Sequence, residues 1–146
     1  MTIDRDLVTR KLLLIVRDLD ALTAISSRGV GAYEQNRIDQ AVAERHLERM
    51  IGRMIDVNYH VLTESGHPPP SDYYASFVQL ASIGLLEPPF AQRIASSAGL
   101  RNRIVHEYDE IDHRRVFDAL TAALKDIPRY VSSIEAYLQR LKPTDE

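Results

Sequence analysis

The chain has 146 residues, with 18 Lys and Arg against 21 Asp and Glu, a formal net charge of −3, and no cysteine. That length is enough for one hydrophobic core without covalent staples, and the absence of thiols excludes disulfides and thiolate zinc sites. The acidic balance also argues against a protein that coats nucleic acid through a general basic surplus, so any RNA contact has to come from a local patch.

The first six residues carry charge, and no compact apolar run with a small-residue cleavage site follows them. The run Leu12–Val16 is far too short to span a bilayer. A cytoplasmic protein without membrane contact is expected, built as a single helical domain over residues 1–146.

Asp4 to about Ile25 reads as the first helix, because Leu7, Leu14 and Val16 with Leu19, Leu22 and Ile25 recur mostly at three- and four-residue steps. The block Leu12-Leu13-Leu14-Ile15-Val16 is apolar nearly all round, which predicts burial on more than one side. Ser26 to Gly31 contains two glycines and reads as a breaker, and Ala32 to Gln35 as a connection without a clear state. Asn36 is placed to cap a long second helix running to about Glu64, with Gly66 as its stop. Its apolar stripe is predicted as Ile38, Val42, Leu47, Met50, Ile51, Met54, Ile55, Tyr59 and Leu62, and Asn58 beside it as a satisfied buried amide.

Arg45, Arg49 and Arg53 stand at four-residue steps on this helix, with Asp56 and His60 continuing the row. They form a candidate RNA-binding ridge. The plainer reading is a solvated face balanced by Glu44 and Glu48.

His67-Pro68-Pro69-Pro70-Ser71 is a stiff spacer. Asp72 then caps a short helix to about Ser82 with Tyr73, Phe77, Leu80 and Ala81 facing inward, and Gly84 ends it. Pro88 and Pro89 suit the first turn of the next helix, whose apolar side is Phe90, Ile94, Ala98 and Val105. Glu107 to Ile111 breaks the chain, and Asp112 caps a last helix that Pro128 is expected to kink or split. Lys142 to Glu146 reads as a frayed tail. These five helical segments with short connections predict an all-α antiparallel bundle.

Chemistry concentrates in the next-to-last helix, at Leu100-Arg101-Asn102-Arg103-Ile104-Val105-His106-Glu107-Tyr108. Asn102 and His106 are four apart and share a helix face, whereas Arg101 and His106 point roughly 140° apart on ideal geometry. One copy therefore makes a loose site. Two copies across a symmetry axis would make a cleft with two Arg, two Asn and two His.

A permanently charged guanidinium can fork onto a phosphate, and an imidazole can take or give a proton near neutral pH. None of these side chains is a hard-metal ligand. They suit metal-independent attack of a ribose 2′-hydroxyl on its own phosphate, with Arg101 stabilising the developing charge. His106 and His113 bracket several carboxylates, but no HExxH pattern occurs, and the acidic residues serve better as caps. No metal and no cofactor is expected.

The pattern Arg101-Asn102-x-x-x-His106-x-Tyr108, in this helical setting, resembles the signature of HEPN-superfamily ribonucleases, and most closely of HepT-type toxins. The resemblance implies a HEPN-like homodimeric endoribonuclease acting on tRNA or mRNA in the dimer cleft, with Arg101, Asn102 and His106 as catalytic residues. It further implies a cognate MNT-type nucleotidyltransferase antitoxin that AMPylates Tyr108. The alternative is a non-catalytic helical nucleotide-binding or accessory subunit of such a transferase.

Overall fold

The computed structural model describes residues 2–141, so the expected tail at 142–146 lies outside the described residues. Among these residues there are six α-helices and no strand: α1 (Arg5–Ser27), α2 (Gly29–Glu34), α3 (Arg37–Glu64), α4 (Tyr73–Val78), α5 (Pro88–His106) and α6 (His113–Arg140). Four of them start where a short polar side chain accepts from the first turn: Asp4 from the Leu7 N–H, Asn36 from Asp39, Asp72 from Ala75, and Asp112 from Arg114 and Arg115. Each such cap stabilises its helix by about 1 kcal/mol. Helix α5 begins instead with proline in its first turn.

Contacts between helices give their directions. Lys11 meets Asp56, Asp18 meets His46, and Arg28 meets Asp39, so α1 runs antiparallel to α3. Glu44 meets His113 and Ser65 meets Tyr137, so α6 runs parallel to α3. Arg93 meets Asp126 and Glu87 meets Arg129, so α5 runs against α6. The outcome is an up-down bundle around one contiguous core that includes Ile15, Leu22, Leu47, Met50, Met54, Phe77, Leu120 and Ile134.

Four local expectations are corrected. The glycine-containing breaker holds a sixth helix, α2. Gly29 turns the chain with φ +87°, after which Tyr33 buries its ring against Phe117, 5.4 Å between centroids. The Gln40 amide donates to the Tyr33 and Glu34 carbonyls at the end of α2. Gln40 thereby takes the inward position on α3, and Ile38 and Val42 are left 76% and 39% exposed. On α1, Leu12 and Ile15 are buried but Leu13 is 60% exposed, because α1 is an outer helix with one face on its neighbours. Of the two outcomes expected at Pro128, a kink or a split, the split does not occur: α6 is one helix. Pro128 sits on the exposed face of α6, away from the core-facing positions Ile127 and Val131.

A buried polar chain ties three helices together. The Tyr130 hydroxyl on α6 donates to Asn58 Oδ1 on α3 at 2.6 Å, Asn58 Nδ2 donates to Ser76 Oγ on α4 at 3.2 Å, and Ser76 Oγ donates to the Tyr73 carbonyl at 2.7 Å. Complete burial raises the Tyr130 phenol well above its ordinary pKa, so it stays a donor. Asn58 is thus the satisfied buried amide that its apolar surroundings predict.

Asn58→Ala removes the link common to all three helices and should cost about 1–3 kcal/mol, read as a lower urea midpoint with unchanged slope. Alkaline pH offers a second check. Burial raises the phenols of Tyr33, Tyr59 and Tyr130 above the ordinary value of 10.0. A raised folded-state pKa means that the folded state holds the proton more tightly, so stability is full below pH 10 and falls as the pH rises beyond it. Denaturant midpoints measured from pH 8 to 11 should decline at the alkaline end.

Candidate active site

Helix α5 carries Arg101 near its C-terminal end and lays the side chain across α3 at Gly52. A Cβ built there would stand 3.7 Å from Arg101 Nε. That is ordinary van der Waals contact, so the lane of the side chain has room for a methyl group at this point but is closely bounded by α3. Beyond Gly52 the side chain enters a groove of about 510 Å³ between α1, α3, α4 and α5. Lys11, Arg49, Arg53, Tyr59 and Tyr73 share the groove with it. The guanidinium carbon lies 5.5 Å from the centroid of the Tyr73 ring, a cation–π distance. Arg101 Nε is buried without a hydrogen-bond partner among the described residues.

The charges around this groove are unequal in what they are free to do. Lys11 is paired with Asp56 at 3.0 Å and Arg45 with Glu48 at 3.6 Å. Arg53 donates to Asp18, a buried carboxylate that also accepts from His46 Nδ1 at 2.9 Å. Arg49 and Arg101 line the groove with no carboxylate partner among the described residues. The row Arg45, Arg49, Arg53 is therefore three residues in three situations. Arg45 is exposed and outside the groove lining, Arg49 is exposed at the groove, and Arg53 is committed to the bundle. His60, placed in the same row, accepts the Asp4 backbone N–H at its Nε2 and fastens the start of α1.

Asn102 and His106 are exposed on α5, and neither lines the groove of the single protomer. His106 is the last residue of α5. The Tyr108 backbone lies in the 3₁₀ turn Tyr108–Glu110, and its side chain falls outside the described part of the structure. Among the described residues no three potential metal ligands converge, and Asp112, within the acidic turn, caps α6.

Sequence reasoning missed Lys11, Gly52 and Tyr73 as groove residues, and it turned Tyr73 inward. Tyr73 is 42% exposed, because Phe77 and Ser76 take the buried side of the short helix. Tyr59, expected in the apolar stripe, stands at the groove edge-on to Tyr73, 6.2 Å between centroids. Burial, with smaller contributions from Tyr73 and Asp72, raises its phenol above the ordinary range. The one available signal was Gly52, a glycine in the middle of a helix with no turn to make.

Comparison with known proteins places this geometry. The family model for HepT-like ribonucleases matches residues 6–134. A tRNA nuclease HepT of Aphanizomenon flos-aquae (strain 2012/KM1/D3) is 35% identical over 140 residues, covering 96% of this chain and 95% of that protein. An mRNA nuclease HepT of Shewanella oneidensis is 24% identical over 131 residues, covering 90% and 98%. Among solved structures, a tri-AMPylated Shewanella oneidensis HEPN toxin in complex with an MNT antitoxin shares the fold, with a TM-score of 0.82 at 23% identity over 90% of this chain and 98% of that one. The chain belongs to the HepT-like ribonuclease family and is an endoribonuclease by class. No helix among the described residues is long and apolar enough to cross a membrane.

The two groove arginines that differ in commitment should separate experimentally. Arg53→Ala strands a buried carboxylate with one remaining partner and should cost on the order of 3 kcal/mol in denaturant unfolding. Arg49→Ala should change stability by no more than about 0.5 kcal/mol while weakening retention on an RNA oligonucleotide.

Proposed function

We propose that this protein is the toxin of a HEPN/MNT-type toxin–antitoxin pair, and that it cleaves RNA as a homodimer without a metal ion. The observation that carries the reading is Arg101: a half-buried guanidinium, unpaired by any described carboxylate, directed into a groove that holds a second unpaired arginine. A cation kept free of acidic partners at a helix crossing is arranged to receive an anion from outside the fold.

The reaction follows from the donor set. The ribose 2′-oxygen attacks the adjacent phosphorus, the bond from phosphorus to the 5′-oxygen breaks, and the products are a 2′,3′-cyclic phosphate and a 5′-hydroxyl. One group must accept the 2′-hydroxyl proton and one must give a proton to the leaving oxygen. His106 supplies both roles when two protomers each contribute one imidazole. Arg101 holds the charge that grows on the phosphoryl oxygens, and Asn102 orients the phosphate or the imidazole. Arg49 is the favoured auxiliary phosphate contact, ahead of Arg45 and Arg53, which are engaged elsewhere.

The exposure of Asn102 and His106 outside the single-protomer groove supports the need for a second copy. The substrate class is tRNA or mRNA, for which the two relatives are named.

Regulation belongs to the same reading. An MNT-type nucleotidyltransferase antitoxin would transfer AMP to the Tyr108 phenol, adding bulk and negative charge beside the place where RNA phosphate must sit. A HEPN toxin of this fold has been seen tri-AMPylated beside its MNT antitoxin.

Purified protein should cleave RNA in EDTA and leave 2′,3′-cyclic phosphate ends. Arg101→Ala and His106→Ala should each abolish cleavage while keeping a cooperative unfolding transition and an unchanged dimer by light scattering. A strict divalent-metal requirement would reject the mechanism. Co-expression with the cognate transferase should add whole AMP units to the intact mass, and Tyr108→Phe should remove them.

A further inference from the structure

We propose that Tyr73 is a positioning residue for Arg101. Its ring is the support that fixes the guanidinium in the groove while leaving the charge and its N–H donors available. The inference rests on the reading above in taking Arg101 as the group that meets phosphate.

An arginine side chain has many rotamers, and one that is to act on a transition state has to be held in one of them. Protein structures commonly do this with a carboxylate. Here no carboxylate pairs with Arg101 among the described residues, and its Nε has no hydrogen-bond partner. What meets the guanidinium is the Tyr73 ring, at 5.5 Å from the guanidinium carbon. The chemical difference matters. A carboxylate would cancel the positive charge and occupy the donors that a phosphate needs. A π-face attracts the cation through its quadrupole and occupies none of the N–H donors pointing away from the ring.

Tyr73 is itself firmly placed, which a support has to be. Tyr59 packs against it at 84° between ring planes, which restricts the ring from the α3 side. Its carbonyl accepts from Ser76 Oγ at 2.7 Å, and Ser76 is joined through Asn58 to Tyr130. Asp72, one residue before, caps the same turn on the Ala75 N–H at 2.7 Å. The first turn of α4 is therefore anchored to α3 and α6, and through Tyr73 it reaches Arg101 on α5. This also accounts for a large aromatic side chain being 42% exposed on a six-residue helix where core packing does not require it.

The test compares Tyr73→Phe, which keeps a ring, with Tyr73→Leu and Tyr73→Met, which keep bulk without one, in the full-length protein. Two readouts are taken. The first is the Arg101 Nε–H resonance by NMR, assigned through Arg101→Lys. The ring-current contribution should vanish in Tyr73→Leu and Tyr73→Met and persist in Tyr73→Phe. The second is RNA cleavage. Loss of a positioning group should lower kcat by about tenfold with little change in KM in the two non-aromatic variants, and Tyr73→Phe should recover the rate to within about twofold.

An Arg101 resonance that does not move in Tyr73→Leu and Tyr73→Met, or a kcat that is equally low in Tyr73→Phe, overturns the proposal. Should the wild-type protein cleave no RNA, the nuclease mechanism fails, and the NMR comparison still decides whether Tyr73 holds Arg101.

Discussion

Desolvating part of a guanidinium without giving it a counter-charge is costly, and the groove is organised around keeping that cost acceptable at Arg101. A buried Nε without an acceptor loses hydration worth on the order of 1–3 kcal/mol. Three features bear on it. Gly52, where a Cβ would make only ordinary van der Waals contact with Nε, presents no longer side chain to the lane, the Tyr73 ring draws in the cation, and the far end of the guanidinium remains at an open groove. Each comes from a different helix, so the arginine is only as well placed as the crossing of α3, α4 and α5 allows. The buried chain Tyr130–Asn58–Ser76 fixes α4, and with it Tyr73, against α3 and α6, so its hydrogen bonds bear on the candidate site as well as on stability.

The second organising fact is where the acidic residues stand. Asp56, Glu48 and Asp18 each take one cation out of circulation around the groove. Asp18 has the most structural consequence: it is buried, and it joins His46 and Arg53 of α3 to α1. Arg53 is held on one side of a bundle contact while it lines the groove on the other. A regular basic row on α3 thus resolves into a brace, a surface pair and one available donor.

The parts legible in the sequence are those whose causes are local. The caps at Asp4, Asn36, Asp72 and Asp112, the proline start of α5 and the stop at Gly66 all depend on residues within a few positions of each other. The motif residues Arg101, Asn102 and His106 were conspicuous for the same reason. Position in three dimensions was harder to read. Arg49 and Arg53 look alike by spacing, and only Asp18, 35 positions from Arg53 and on another helix, tells them apart. Helix α2 defeated its own glycines because Tyr33 found a pocket against Phe117 and Gln40 reached back to its end. Tyr73 was turned inward by hydrophobicity alone, which cannot distinguish an aromatic that fills a core from one that props a cation.

Two of the four cations that line the groove, Lys11 and Arg53, are already paired, which has a consequence for how a polyanion would be met. Association of a protein with nucleic acid gains much of its drive from the release of condensed counterions, in proportion to the number of phosphates neutralised. A face on which only Arg49 and Arg101 are left without a carboxylate among the described residues displaces few of them. Bulk nucleic acid of arbitrary shape then gains little by settling there, and ionic strength has correspondingly little leverage over what does. On the proposed reading, discrimination would be left to the fit of a strand against a seam between helices, where shape counts for more than charge.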